Sequence, residues 1–104
     1  LDVAFRFQSK DGPTVTGVGF ELYQNMPNPF MNSTVIGFHL PEDTQATLSI
    51  YDEGGHLIHL QRGKFSKGYN SFPIDRSMVN VNGVLYYTLQ TDNDSATRKM
   101  IQIK

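Results

Sequence analysis

Two small groups of residues carry the side chains that a metal site needs. His56 and His59 stand three apart, and Asp92, Asn93 and Asp94 are consecutive. On a strand, side chains three positions apart point to opposite faces, so the two histidines do not form a pair of ligands. A calcium loop requires more oxygen ligands than the acidic turn offers. The sequence therefore predicts surface histidines, a solvated turn, and no bound metal or cofactor.

The chain also lacks the sequence patterns of common catalytic sites. It contains no phosphate-binding loop, no Gly-x-Ser-x-Gly nucleophile elbow and no His-Glu-x-x-His motif. Gly17-Val18-Gly19 lacks the third glycine and the following helix of a dinucleotide site. The absence of cysteine excludes disulfides and thiolate metal ligands. The sequence therefore predicts that the protein is not an enzyme.

Composition narrows the classes of partner. The 104 residues fit one domain, taken as 1–104, and the formal net charge is −1. A charge near zero gives no support for nucleic acid or an anionic membrane as a partner. No apolar run approaches the ~20 residues of a spanning helix, so no membrane insertion is expected. Because the first residue is Leu1, we expect the chain to be part of a longer polypeptide.

Most of the chain shows the period-two alternation of β-strands. The predicted strands cover residues 1–8, 20–24, 34–40, 46–51, 57–60, 69–74, 83–89 and 96–103. Turn residues separate them at intervals of about ten, and only Ser77–Val79 is expected to form a helical turn. The sequence therefore predicts an all-β fold, an immunoglobulin-like antiparallel β-sandwich of seven to eight short strands.

Three of these elements carry more specific expectations. The run that starts at Gly83 is continuously β-branched, aromatic or apolar, so we expect a central strand that is buried on both faces. Pro73 cannot donate a ladder hydrogen bond, which predicts an edge strand or a bulge. Gly54-Gly55 is typical of a hairpin turn because glycine adopts positive φ at little cost.

A proline-rich segment is the most distinctive feature of the chain. Pro27 and Pro29 flank Asn28, and each fixes φ and favours an extended conformation in the residue before it. We name Asn25–Phe30 the proline elbow and expect it to be a stiff, non-helical corner. Taken alone, the segment is better explained as a simple proline-rich turn between two strands.

Six motifs, in order along the chain, extend this observation. They are Leu22-Tyr23-Gln24-Asn25-x-Pro27-Asn28-Pro29-Phe30, Ser33-Thr34-x-Ile36-x-Phe38-x-Leu40-Pro41, Leu48-x-Ile50-Tyr51-Asp52-x-x-Gly55, Gly68-Tyr69-Asn70, Gly83-Val84-Leu85-Tyr86-Tyr87-x-Leu89 and Ala96-Thr97-Arg98-Lys99-Met100-x-x-x-Lys104. Together they resemble the type A C-terminal sorting domain of the type IX secretion system of Bacteroidetes. Leu85 stands where that family commonly has Tyr or Phe. The resemblance covers residues 20–104 and leaves 1–19 as an added edge strand with a flexible linker.

The resemblance implies a non-catalytic address label that directs a larger cargo protein across the outer membrane to the cell surface or beyond. Its implied partners are the outer-membrane translocon and its shuttle proteins, with a sortase-like peptidase that cuts in or before Ser9–Gly19. The last strand is expected to offer a free edge to a partner. The residues singled out for recognition are Pro27, Asn28, Pro29, Phe30, Gly54, Gly55, Gly68, Gly83, Lys99 and Lys104. The prolines and glycines are equally compatible with a role in the fold alone, and the two lysines with solubility.

Two alternatives remain open at this point. One is a carbohydrate-binding or adhesive module, in which Tyr51, Tyr69, Tyr86 and Tyr87 form a stacking platform for sugar rings. The other is a structural spacer of immunoglobulin-like shape, which would stand in the middle of a chain as readily as at its end.

Overall fold

The chain folds into two packed antiparallel sheets. A computed structural model describes residues 14–15 and 19–103, so the predictions on Leu1–Gln8 and Lys104 lie outside the described residues. The elements are β1 (Thr14–Val15), β2 (Glu21–Leu22), β3 (Ser33–Leu40), β4 (Thr44–Asp52), β5 (Leu57–Phe65), β6 (Gly68–Asp75), α1 (Arg76–Val79), β7 (Gly83–Gln90) and β8 (Ser95–Gln102).

The larger sheet has the strand order β1-β8-β7-β4-β5, and the smaller sheet has the order β2-β3-β6. Every neighbouring pair is antiparallel. This arrangement confirms the predicted immunoglobulin-like sandwich. The short connections between β4 and β5 and between β5 and β6 also confirm the turns expected at Gly54-Gly55 and before Tyr69.

The core lies between the sheets, where the inward positions of the strands meet. Alternation of side chains along a strand places every second residue on the inner face. The buried apolar residues of strands β3, β4, β6 and β7 are Ile36, Phe38, Leu40, Ala46, Leu48, Ile50, Phe72, Ile74, Leu85, Tyr87 and Leu89. At one end Phe38 stacks on Phe72 and meets the edge of Phe65, with centroids about 5 Å apart in each pair. The period-two pattern therefore places the core correctly.

The strand β7 corrects one expectation. It is central in its sheet, as predicted, but only Leu85, Tyr87 and Leu89 are buried, and Tyr86 between them is 39% exposed. The prediction that both faces are buried is wrong because no described element covers the outer face of the larger sheet. Its continuous apolar sequence thus includes residues that face solvent.

The strand β6 lies at an edge, as Pro73 predicts. Val35 is paired with Pro73, but the N–H and C=O of Val35 bind Met26 on the other side. The missing N–H of Pro73 therefore faces away from the ladder, where it costs no hydrogen bond. The next residues form α1, whose N-terminal cap is Asp75, in agreement with the predicted helical turn. No helix among the described residues is long and apolar enough to cross a membrane.

Candidate recognition site

The proline elbow connects the two sheets. Met26 forms an isolated antiparallel bridge with Val35 of the smaller sheet, and Phe30 forms a parallel bridge with Gln102 of the larger sheet. Both X–Pro peptide bonds of the elbow are cis. The tip of the elbow, residues 27–29, is exposed, whereas Phe30 is buried in the core. The two prolines of the elbow are therefore exposed to solvent, while the residues on either side of them are bound to the two sheets.

A buried polar cluster holds the inner side of the elbow. Asn25 is 1% exposed, and its Nδ2 donates to the Pro27 carbonyl oxygen at 3.1 Å and to Thr34 Oγ1 at 3.0 Å. Thr34 Oγ1 donates to the same Pro27 carbonyl at 2.8 Å. Because buried polar groups are costly unless they are hydrogen-bonded, these contacts favour one conformation of the elbow.

The outer edge of β8 is bound to the elbow near its end. The Phe30 N–H donates to the Ile101 carbonyl at 3.0 Å, and the Ile103 N–H donates to the Phe30 carbonyl at 2.9 Å. Between them, the Ile101 N–H donates to Asn28 Oδ1 at 2.9 Å. The side chain of Asn28 therefore acts as a strand partner, which explains why an asparagine stands between the two prolines.

The expectation of a free edge on the last strand is wrong for the described residues. Besides the contacts of the elbow, Gln24 Nε2 donates to the Lys99 carbonyl at 2.7 Å, and β1 pairs with Ser95 and Ala96. These groups occupy much of the edge that a partner strand would need. Lys99 is exposed beside this covered edge.

Arg76 joins three segments around the end of the last strand. Its Nη1 donates to the carbonyl oxygens of Met31 and, at 3.0 Å, Ile103. Its Nη2 donates to Asn82 Oδ1 at 3.2 Å, and its backbone N–H donates to the Asn32 carbonyl at 2.9 Å. No motif in the sequence singles out this arginine, since its acceptors lie up to 45 positions away.

The Gly54-Gly55 turn depends on an aspartate that the predicted site did not include. Asp52 Oδ1 accepts from the N–H groups of Gly54 and His56, each at 2.9 Å, and its carboxylate also contacts His56 Nδ1 at 3.1 Å. The hydrogen bond from the His56 backbone N–H is the largest cause that lowers the pKa of Asp52. Gly55 has a φ of 86°, in the region that side chains disfavour.

The other predicted recognition residues lie at separate positions. Gly68 begins β6 and Gly83 begins β7. Gly83 pairs with Gln102, which in turn bridges Phe30, so the structure brings Gly83 into one row with the elbow. Gly54, Gly55 and Gly68 do not join that row. The role of these residues in recognition stays a prediction.

Gln102 is a further residue that the sequence did not identify. It is 1% exposed on the inner side of β8, and neither atom of its amide group has a hydrogen-bond partner among the described residues. An unpaired buried amide is costly, so this position is an exception in an otherwise satisfied network around the elbow.

The four tyrosines of the proposed sugar platform are not brought together. Tyr51 and Tyr86 are cross-strand neighbours on the outer face of the larger sheet. Tyr69 belongs to the smaller sheet, where the centroid of its ring lies 6.3 Å from that of Tyr23, and Tyr87 is fully buried. A single platform of these four rings is therefore excluded.

The histidines and the acidic turn form no shared site. His56 lies in the turn before β5, so the prediction that it shares a strand with His59 is wrong. His59 Nε2 instead contacts Gln61 Oε1 at 3.1 Å. Within the described ranges, no three His, Asp or Glu side chains stand close enough to hold a metal ion.

Fold and site define a small immunoglobulin-like sandwich module that displays a stiff, exposed corner. The chain belongs to the family of secretion system C-terminal sorting domains, whose family model matches residues 24–104, more than three quarters of the sequence. This assignment confirms the resemblance found in the motifs. The domain is a C-terminal sorting signal for type IX secretion, and the family is not catalytic. A search of curated proteins found none that matches the chain.

Membership in this family also indicates the general class of partner of the domain. A sorting signal of this family interacts with the type IX secretion machinery, and it serves export across the outer membrane.

Proposed function

We propose that this domain directs a larger cargo protein through the type IX system to the cell surface or the medium, and that it is read as a folded shape. The outer-membrane translocon and its shuttle proteins bind the folded domain, and a sortase-like peptidase separates it from the cargo. The domain carries out no reaction with its own side chains.

One observation carries the proposal of a folded signal: the proline elbow and the end of β8 form one unit. The hydrogen bonds of Asn28 and Phe30 to Ile101 and Ile103 join segments more than 70 positions apart. The last strand therefore contributes directly to the shape of the elbow. A linear peptide of either segment lacks that shape.

The test is a fusion of residues 1–104 to a periplasmic reporter in a host with a type IX system, with reporter activity measured in the periplasm, on the cell surface and in the medium. We expect the fusion to leave the periplasm. Deletion of residues 95–104 is expected to abolish export, because it removes β8 and the contacts of the elbow.

A milder variant separates recognition from folding. Asn28→Ala removes the acceptor of the Ile101 N–H at an exposed position, and we expect a folded domain with reduced export. The matched control is Asn93→Ala, an exposed asparagine in the turn after β7, which should be exported normally. Retention of the intact fusion in the periplasm, or export of the truncated one, would contradict the proposal.

A further inference from the structure

A polar cleft lies at one end of the larger sheet. Phe30 of the proline elbow bridges Gln102 beside the start of β7, whereas the cleft lies at the other end of that strand. Its volume is about 400 Å³, within the range of about 300–1,000 Å³ that is usual for small-molecule sites. The described residues that line it are Gln45, Thr47, Arg62, Gln90, Thr91 and Asp92. All six side chains are polar, so an apolar ligand would leave their hydrogen bonds unmade.

The lining of the cleft suits a neutral ligand that carries hydroxyl groups. Arg62 and Asp92 have opposite charges, so the described lining has no net formal charge and does not favour an anion or a cation. The amide groups of Gln45 and Gln90 and the hydroxyl group of Thr47 both donate and accept hydrogen bonds. A sugar hydroxyl group also does both, so the two sets of groups are complementary.

The backbone around the cleft holds these side chains in place. Thr47 lies on β4 and is directly opposite Arg62 of β5 and Gln90 of β7, so the three side chains share the outer face of the sheet. The Thr91 N–H donates to the Asp94 carbonyl at 2.9 Å, and the Asp94 N–H donates to Thr91 Oγ1 at 3.1 Å, which closes the turn beside the cleft. The cleft therefore exists before a ligand binds, and this lowers the entropy lost on binding.

A row of outward-facing pairs continues from the cleft along β4 and β7. The cross-strand pairs, in order, are Thr47–Gln90, Ser49–Thr88 and Tyr51–Tyr86. Successive pairs are two residues apart on each strand, so the row is about 14 Å long. The Thr88 hydroxyl group is hydrogen-bonded to that of Thr97 on β8 at 2.9 Å, and Tyr86 is 39% exposed. The row thus combines hydroxyl groups with an exposed aromatic ring and has the shape for an elongated ligand.

We propose that the cleft and this row form a binding site for a neutral oligosaccharide. Sugar hydroxyl groups bind the polar side chains of the cleft, and the C–H face of a sugar ring packs on Tyr86. This activity is additional to the sorting function and does not depend on it. A protein partner fits less well because the core of a protein interface is apolar, whereas the lining of the cleft is polar. A single-stranded nucleic acid requires a positively charged groove, and here Arg62 is balanced by Asp92.

The first test is a titration of the isotope-labelled 1–104 domain with neutral tetrasaccharides of glucose, galactose, mannose and N-acetylglucosamine. Each is added to about 10 mM, where a site with a Kd near 1 mM is nearly saturated. We expect at least one of them to shift the backbone amide resonances of Thr47, Gln90 and Tyr86. A tetrasaccharide of galacturonic acid is the charged control and should bind more weakly. No shift with any neutral sugar, or stronger binding of the acidic one, would overturn the proposal.

The second test locates the site on the domain. Gln90→Ala removes an exposed donor and acceptor from the cleft, and we expect the Kd of the bound tetrasaccharide to rise about tenfold. The matched control is Asn93→Ala, which removes an exposed amide from the turn after β7, outside the described lining of the cleft, and should leave the Kd unchanged. Equal results with the two variants would show that the saccharide binds elsewhere.

The third test measures the length of the site. Tyr86→Ala removes the ring at the far end of the row, so it should raise the Kd of the tetrasaccharide and leave that of the disaccharide of the same sugar unchanged. The amide spectrum of each variant shows whether the domain is folded. If Tyr86→Ala changes neither Kd, or changes both equally, the extended site is refuted. Because binding is measured with the purified domain, that result leaves the sorting function standing.

Discussion

The hydroxyl group of Tyr87 accepts a hydrogen bond from the backbone N–H of Asn25 at 2.9 Å, although the two residues are 62 positions apart. The same hydroxyl donates to the carbonyl oxygen of Tyr23 at 2.7 Å. Tyr87 is fully buried on β7, in the interior of the larger sheet. Its ring lies in the core, and its hydroxyl group binds the backbone at the start of the proline elbow. The elbow is therefore attached to the core as well as to the last strand.

Replacement of Tyr87 by Phe tests this attachment. The change removes the acceptor of the Asn25 N–H while the ring stays in place, and we expect the free energy of unfolding to fall by about 1–3 kcal/mol. Urea denaturation measures the difference. Tyr86→Phe, next in sequence but facing solvent, is the control and should change stability by less than about 0.5 kcal/mol. An equal effect of both variants would show that the hydroxyl of Tyr87 contributes nothing specific.

The positive φ of Gly55, in the hairpin turn after β4, predicts that any other residue at this position destabilises the fold. Gly55 has a φ of 86° and open space where a Cβ would stand, so Gly55→Ala changes only the backbone energy. We expect a loss of about 1–2 kcal/mol in the free energy of unfolding. In Gly63→Ala the new methyl group meets only the Phe65 ring at 3.4 Å, an ordinary contact, and stability should hardly change. Thermal unfolding of the two variants shows whether the positive φ at Gly55, rather than the added methyl group itself, causes the loss of stability.

Asp52 in this turn and Asp75 at the N-terminal cap of α1 predict that the stability of the fold depends on pH. The pKa of Asp52 is lowered below 3.8, chiefly by the hydrogen bond from the His56 backbone N–H, and the pKa of Asp75 is lowered chiefly by the Ser77 hydroxyl. A carboxyl group with a lower pKa in the folded chain stabilises the fold above its unfolded pKa. That stabilisation is lost as the pH falls through the folded value. The free energy of unfolding should therefore decrease as the pH is lowered below about 4.

Asp52→Asn provides the comparison for this prediction. An amide does not titrate, so the variant should be less stable at neutral pH and should lose less stability than the parent chain between neutral and acidic pH. Denaturation curves at a series of pH values give both quantities. Parallel pH profiles for parent and variant would show that Asp52 has the same pKa in the folded and unfolded chain.

The buried amide of Gln102 predicts a gain in stability. Neither amide atom has a partner among the described residues, and a leucine would fill similar space without an unpaired polar group. We expect Gln102→Leu to raise the free energy of unfolding by about 1 kcal/mol. Met100→Gln, which buries a new amide two positions away on the same face of β8, is the opposite control and should be strongly destabilising. A loss of stability in Gln102→Leu would mean that the amide is satisfied in solution.

Local patterns in the sequence were sufficient for the strands, the sandwich and the family. The alternation in Thr34–Leu40 and Ala46–Ile50 places the same residues in the core that the structure buries. The missing N–H of Pro73 predicts an edge strand or a bulge, and its strand does lie at an edge. The continuous apolar run of β7 misled the prediction of burial, because its sequence does not tell whether a second layer covers the sheet.

The contacts that define the candidate site could not be predicted from such local patterns. Asn28 with Ile101, Tyr87 with Asn25 and Arg76 with Ile103 join positions that no local rule connects. Asp52 is different, since an aspartate two residues before Gly54 is typical of a turn stabilised by its side chain, and this signal was present in the sequence.

The attachment of the elbow to β8 has a consequence for synthesis of the protein. The elbow emerges from the ribosome first, and the strand that completes it emerges among the last residues of the described chain. A prematurely terminated product would lack the Ile101 carbonyl that accepts from the Phe30 N–H, and the N–H groups of Ile103 and Ile101 that donate to the Phe30 carbonyl and to Asn28. If the domain is read as a folded shape, as proposed above, chains that lack the last strand would not display the complete signal.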